Sequence, residues 1–240
     1  MNKLMALLLL GVFPASVFAG ENYKKIDDFI AQTYQKSDDQ NAPWHKKRKA
    51  DEAIVSDYSL CYNKMISQKS QYYLVVMCPD MSKSTYDNEP FPTDLYVLQK
   101  TDQGYTLLAS EQDSGEQFED VVNIGSEKWA VHGSSYAMNQ GYEQAHDTLS
   151  LFVKNTFIPV AQWTSHQDNS GAISPQEPEQ YEHIENKLSI DSSQPDADFY
   201  PLIINSVGNR GATKINEKYK INYAMDNGGY IIPDELNEGY

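Results

Sequence analysis

The stretch Asp94-Leu95-Tyr96-Val97-Leu98-Gln99-Lys100-Thr101-Asp102-Gln103-Gly104-Tyr105-Thr106-Leu107-Leu108-Ala109-Ser110 decides the fold class. Two apolar runs flank a polar turn whose last residue, Gly104, can take the left-handed backbone conformation that a short loop needs. That is a β-hairpin. The plan recurs at 148–161, turning through Lys154-Asn155-Thr156, and at 219–232, turning through Asp226-Asn227-Gly228-Gly229. Before each hairpin stands a further strand-like run, at 72–77, 128–132 and 199–204, and a polar excursion separates the two, at 79–93, 133–146 and 205–216. The unit is strand, long loop, hairpin, unevenly spaced and therefore degenerate. Three such units are too few to close a propeller ring. The expectation is a mainly β protein with an antiparallel open sheet or sandwich.

Working outward, residues 1–19 begin with Lys3, continue through apolar Leu4-Met5-Ala6-Leu7-Leu8-Leu9-Leu10-Gly11-Val12-Phe13 and end at the small-residue site Val17-Phe18-Ala19. These are the three parts of a secretory signal peptide, and the apolar run is too short for a permanent anchor. Cleavage is expected near Ala19, with the chain periplasmic or extracellular and without stable membrane insertion. Residues 20–52 read as a helical segment. Tyr23, Ile26, Phe29, Ile30 and Tyr34 recur at spacings of three and four, and Pro43 followed by Trp44, Lys47, Ala50, Ile54 and Val55 gives a second short helix. One or two helices thus precede a β-rich domain at 53–240. Within it, the polar, proline-containing stretch 164–198 is expected as a long crossover, and Tyr181, Ile184 and Leu188 predict a short surface helix.

Two cysteines, Cys61 and Cys78, lie in strand-like runs joined by Ser67-Gln68-Lys69-Ser70-Gln71. A hairpin centred between Lys69 and Ser70 puts Met65 opposite Leu74 and Cys61 opposite Cys78, within disulfide reach. The even count and the exported context point the same way. Bonded cysteines leave no free thiolate for catalysis.

The formal net charge is −15, and loss of 1–19 would make it one unit more negative. Such a surface excludes nucleic acid and anionic lipid as partners and favours a basic protein partner. The one basic run, His45-Lys46-Lys47-Arg48-Lys49, reads as a solvated helix face, with a docking patch for an acidic partner or for the protein's own acidic loops as the alternative. No nucleophile motif surrounds His132-Gly133-Ser134-Ser135 or His146-Asp147, so no catalytic residue is expected. A pocket where His132 or His146 meets a Ser and an Asp at hydrogen-bond distance would favour an enzyme instead. His45, His132, His146, His166 and His183 show no close pairing, and neither acidic loop candidate, at 113–116 or 166–171, matches a calcium loop, so no metal or cofactor is expected. Seventeen tyrosines offer amphipathic contact surface. Tyr86, Phe91 and Tyr136, in or beside the polar excursions, are the candidate partner-binding anchors. The functional expectation is an exported non-catalytic binding protein, an inhibitor of or protective partner for a basic protein that targets the cell envelope. Acidic loops 80–94, 111–120 and 191–198, sharing one rim, would steer it. The alternatives are an envelope hydrolase and a carbohydrate-binding accessory protein.

Overall fold

The computed structural model describes residues 21–38, 43–47, 57–83, 91–174 and 176–239. The expected signal peptide, the second half of the expected second helix and Tyr86 lie outside them. Two seven-stranded antiparallel sheets carry the chain. The first contains β1 (Asn22–Tyr23), β2 (Tyr34–Lys36), β3 (Trp44–Lys46), β4 (Asp57–Ser67), β5 (Tyr72–Pro79), β6 (Asp94–Thr101) and β7 (Gly104–Glu111), with α1 (Ile26–Thr33) between β1 and β2. The second contains β8 (Gln117–Gly125), β9 (Lys128–Asn139), β10 (Tyr142–Val153), β11 (Thr156–Asp168), β12 (Glu182–Ile190), β13 (Leu202–Arg210) and β14 (Thr213–Ile221). A two-stranded ribbon, β15 (Tyr223–Ala224) with β16 (Gly229–Tyr230), follows. The mainly β, antiparallel, open-sheet expectation holds.

The first sheet has the order β1-β7-β6-β5-β4-β3-β2, so β1 and β2, joined by α1, form its opposite edges. Six interstrand spacings would separate those edges by about 29 Å in a flat sheet. An eight-residue helix spans about 12 Å and two extended linking residues add about 7 Å. The sheet must therefore curl around the helix. Ile26, Phe29 and Ile30 of α1 are buried against Tyr23, Tyr34, Tyr58, Val75, Met77, Tyr96 and Leu98. Each such side chain contributes roughly 1.5–3 kcal/mol as an upper estimate. Asp28 accepts a hydrogen bond from the Lys25 backbone N–H at 3.0 Å, and Asp27 and Asp28 suit the positive end of the helix.

The alternation along β5 and β6 fixes the layers. Val75, Met77, Tyr96 and Leu98 face α1, whereas Leu74, Val76, Leu95 and Val97 pack with Val121 and Val131 of the second sheet. These central strands are buried on both faces and read as continuous apolar runs for that reason. The second sheet encloses a third cluster, in which Ile124, Leu149, Trp163, Leu202 and Ile204 meet Tyr230 and Leu236 from the chain's C-terminal part.

Several local expectations are corrected. Residues 44–46 form a strand, not a helix: Trp44 and Lys46 point inward on either side of exposed His45, a period of two. The excursions at 133–146 and 205–216 are strand continuations with tight turns at Gln140-Gly141 and Gly211. Their polar residues lie on solvated strand faces, which composition alone does not distinguish from loop. The strand-loop-hairpin repeat is therefore a plain meander in the second sheet. The hairpin expected at 219–232 reduces to β15 and β16, because 213–221 pairs backward with β13. The stretch 164–198 is not a crossover throughout: it contains the end of β11 and all of β12, and β12 replaces the helix expected at 181–188.

The disulfide is present, with Cα atoms 5.8 Å apart, but the register behind it differs. Ser59, not Cys61, opposes Cys78, because bulges at Cys61 and Ile66 each insert one unpaired residue into β4. The expected symmetry survives only beside the turn, where Ser67 faces Tyr72.

Candidate functional site

Two polar clusters stand out, one sealed and one open. In the first sheet the Asp94 carboxylate, fully buried, receives the Lys46 ammonium at 2.7 Å, the Asp113 backbone N–H at 2.9 Å and the Tyr34 hydroxyl. Burial, reinforced by the neighbouring Asp94 charge, pushes the Tyr34 and Tyr96 hydroxyls up, so both remain protonated donors. Lys46 also reaches Asp113 at 3.2 Å. The basic run thus turns one lysine inward onto the protein's own acidic groups instead of presenting a solvated helix face.

The open cluster lies in the second sheet, in a groove of about 500 Å³ where β11 and β12 part. Cross-strand pairing sets Asp147 beside Ser134 on β9 and Trp163 on β11, and a bulge between Thr164 and His166 leaves Ser165 unpaired. That extra residue lets Ser165 Oγ donate to Asp147 Oδ1 at 2.6 Å, while His132 Nε2 meets Asp147 Oδ2 at 2.8 Å. The His132 ring stacks on buried Trp163, with centroids 5.7 Å apart. Burial acts to raise the Asp147 carboxyl, but hydrogen bonds from His132, Ser165 and Ser134 outweigh it and hold the group below the usual range. Burial lowers the pKa of His146, on the other face of β10. The seryl proton goes to the carboxylate and not to the imidazole, so Ser165 and His132 share a partner without forming a nucleophile and base. Asp120, Glu185 and Lys187 complete the charged part of the lining.

At one end of the groove, β11 and β12 pair through only three residues: His166 with Glu185, Gln167 with Ile184, and Asp168 with His183. His166 Nδ1 lies 2.7 Å from Glu185 Oε1, and His183 Nδ1 lies 2.8 Å from Asp168 Oδ2. The two rings meet edge to face at 5.7 Å. The expectation that the five histidines stand apart fails for this pair. A signal for it exists in the sequence, His166-Gln167-Asp168 and His183-Ile184-Glu185, each pair on one face of a strand. It becomes legible only once 182–190 is a strand. Beyond this junction the backbones separate, and side chains bridge the gap: Asn186 Nδ2 donates to the Thr164 carbonyl at 2.7 Å and Trp163 Nε1 to the Asn186 carbonyl at 3.4 Å.

Of the anchors expected from sequence, Phe91 is partly buried and bridges Gly115 just before β8, and Tyr136 is exposed on β9 opposite Ala145. The pairing of Gln117 with Ser134 brings both to the same end of β8 and β9. The acidic loops do not share one rim. The Ser114 N–H bonds the Thr93 carbonyl, so the first two adjoin, but the Ser126 N–H bonds the Ala197 carbonyl and Lys128 pairs with Asp198, which fixes the third at the far end of β8. Nine extended residues span about 30 Å, several Debye lengths at physiological salt. Their fields do not add, and Asp94 and Asp113 are already engaged by Lys46.

Fold and site together define a two-sheet antiparallel β protein with one disulfide and an open groove lined by carboxylates and imidazoles. Among the described residues no helix is long and apolar enough to cross a membrane. No family model, no curated protein and no solved structure matches the chain.

Proposed function

We propose that the protein is a non-catalytic binding protein of an oxidising compartment outside the cytoplasm, taking a basic protein partner in the groove between β11 and β12. The observation that carries this reading is the wiring of Asp147. Its carboxylate holds both His132 and Ser165, which makes the groove wall a fixed acidic surface with no activated nucleophile. The overall charge of −15 supports attraction of a cationic partner, and the disulfide supports the compartment. An inhibitor of, or protective partner for, a basic protein that attacks the cell envelope fits this surface. The test is titration of the immobilised chain with a basic cell-wall lytic enzyme at low and high salt, with Asp120→Asn as the groove variant. Affinity should fall with salt and fall further in the variant. Absence of binding, or affinity independent of both salt and Asp120, would refute the reading.

The second reading, an envelope hydrolase, is favoured by one observation, the presence of a histidine, an aspartate and a serine in one groove. It ranks below the first because the Ser165 hydroxyl donates to the Asp147 carboxylate, held below the usual pKa range and so a weak base, and not to the His132 imidazole. Turnover of an ester or glycoside substrate by the wild type, abolished in Ser165→Ala, would reverse that ranking.

A further inference from the structure

We propose that His166, His183 and Glu185 form a site for a divalent transition-metal ion of the zinc class, and that filling it fastens β11 to β12. One ligand atom from each of the three side chains lies within 4.8 Å of the others. Tetrahedral ligation at zinc distances separates donor atoms by about 3.3 Å, so side-chain rotation alone closes the set. Two imidazoles and a carboxylate suit zinc, nickel and copper, and are poor ligands for magnesium or calcium, which take oxygen donors. Asp168 stands outside the trio and accepts from His183 Nδ1, which leaves Nε2 as the ring nitrogen available to an ion. The ligands are partly exposed, so an ion reaches them from solvent.

Position gives the site its consequence. β10 pairs with β11 through eleven residue pairs and β12 with β13 through nine, whereas β11 and β12 share three. The proposed ligands occupy that short junction, at the point where the strands part to open the groove. An ion bridging His166 on one strand to His183 and Glu185 on the other cross-links the weakest joint of the second sheet. It also neutralises Glu185 in the groove lining. This inference goes beyond the binding reading and needs no protein partner, so either can fail alone.

The experiment is calorimetric titration of the full chain with zinc and separately with magnesium, together with hydrogen exchange on 166–168 and 183–185 with and without zinc. Zinc should bind with one-to-one stoichiometry, magnesium should not compete, and exchange across the junction should slow. Affinity should drop by at least about tenfold in His183→Ala and in His166→Gln, and by about tenfold in Asp168→Asn. His45→Ala, on the first sheet, should behave as the wild type. Circular dichroism confirms that each variant is folded. If a variant unfolds, the exchange measurement on the wild type still decides. No zinc binding, equal zinc affinity in folded His183→Ala and His166→Gln, competition by magnesium, or unchanged exchange at the junction overturns the proposal.

Discussion

The two sheets use similar chemical parts for different ends. In the first, a carboxylate at a fully buried position gathers a lysine, tyrosine hydroxyls and a backbone N–H. In the second, a carboxylate gathers a histidine and two serines on a groove wall that solvent reaches. The first cluster is sealed because β5 and β6 are covered on both faces, which leaves Asp94 no partner but the protein itself. The second is open because β11 and β12 stop pairing after three residues. Burial, more than residue type, separates a polar cluster that holds the fold from one that can meet a ligand.

The sharpest test of that contrast is Asp94→Ala, which leaves the buried Lys46 charge with half-exposed Asp113 as its remaining partner. Loss of about 3–5 kcal/mol is expected from urea unfolding. If Asp147→Ala in the groove costs as much, the distinction between the sheets fails. Next in size is the covalent staple. Replacing Cys61 and Cys78 by alanine frees a loop with sequence separation 17, and the chain-entropy relation gives a loss of about 3 kcal/mol by the same measurement. The expected loss is confined to the first sheet, so zinc titration at the β11–β12 junction should be unaffected.

Gly104→Ala tests how tightly the first sheet closes on its N-terminal strand. At Gly104 φ is +126°, and a Cβ there would lie 2.2 Å from the Tyr23 carbonyl oxygen, a backbone atom that cannot rotate aside. A cost of roughly 1–3 kcal/mol is expected, with loss of exchange protection at the pairing of Tyr23 and Tyr105. Unchanged stability would mean that β1 contributes little to holding the curl.

The smallest effect is acid sensitivity in the groove. The folded Asp147 carboxyl ionises below its ordinary value of 3.8. Its stabilisation is therefore complete above that value and is lost as pH falls through the lower, folded-state pKa. His132 and Ser165 are the facing groups whose hydrogen bonds to the carboxylate depend on that charge. Melting temperature followed from neutral pH to pH below 3.8 should fall less steeply in Asp147→Asn than in the wild type. Parallel curves would place the acid-labile interactions elsewhere.

Much of the fold was legible in the sequence where short-range chemistry settles it. The hairpin at 94–110 declared itself because apolar pairing and a turn glycine lie within a few residues of each other. The amphipathic spacing of Ile26, Phe29 and Ile30 gave α1, and the cysteine pair gave the staple. The sequence misleads at 133–146 and 181–188, where strands with a solvated face carry enough polar residues to resemble loop or amphipathic helix. Of the candidate site, His132, His146 and Asp147 were singled out individually, but Ser165 and the pairing of His166 with His183 were not.

From the sequence alone came the antiparallel β class, the N-terminal helix, the cysteine bond and a negative net charge, all of which follow from composition, periodicity and neighbouring residues. Only the tertiary structure decided the register. A single inserted residue at Cys61, Ile66 or Ser165 re-aims every side chain beyond it, and the cost or gain of each bulge depends on packing against strands far away in the chain. The groove begins where that register ends: β11 and β12 pair through three residues and then part, and it is the short pairing that brings two histidines, 17 positions apart, onto one face.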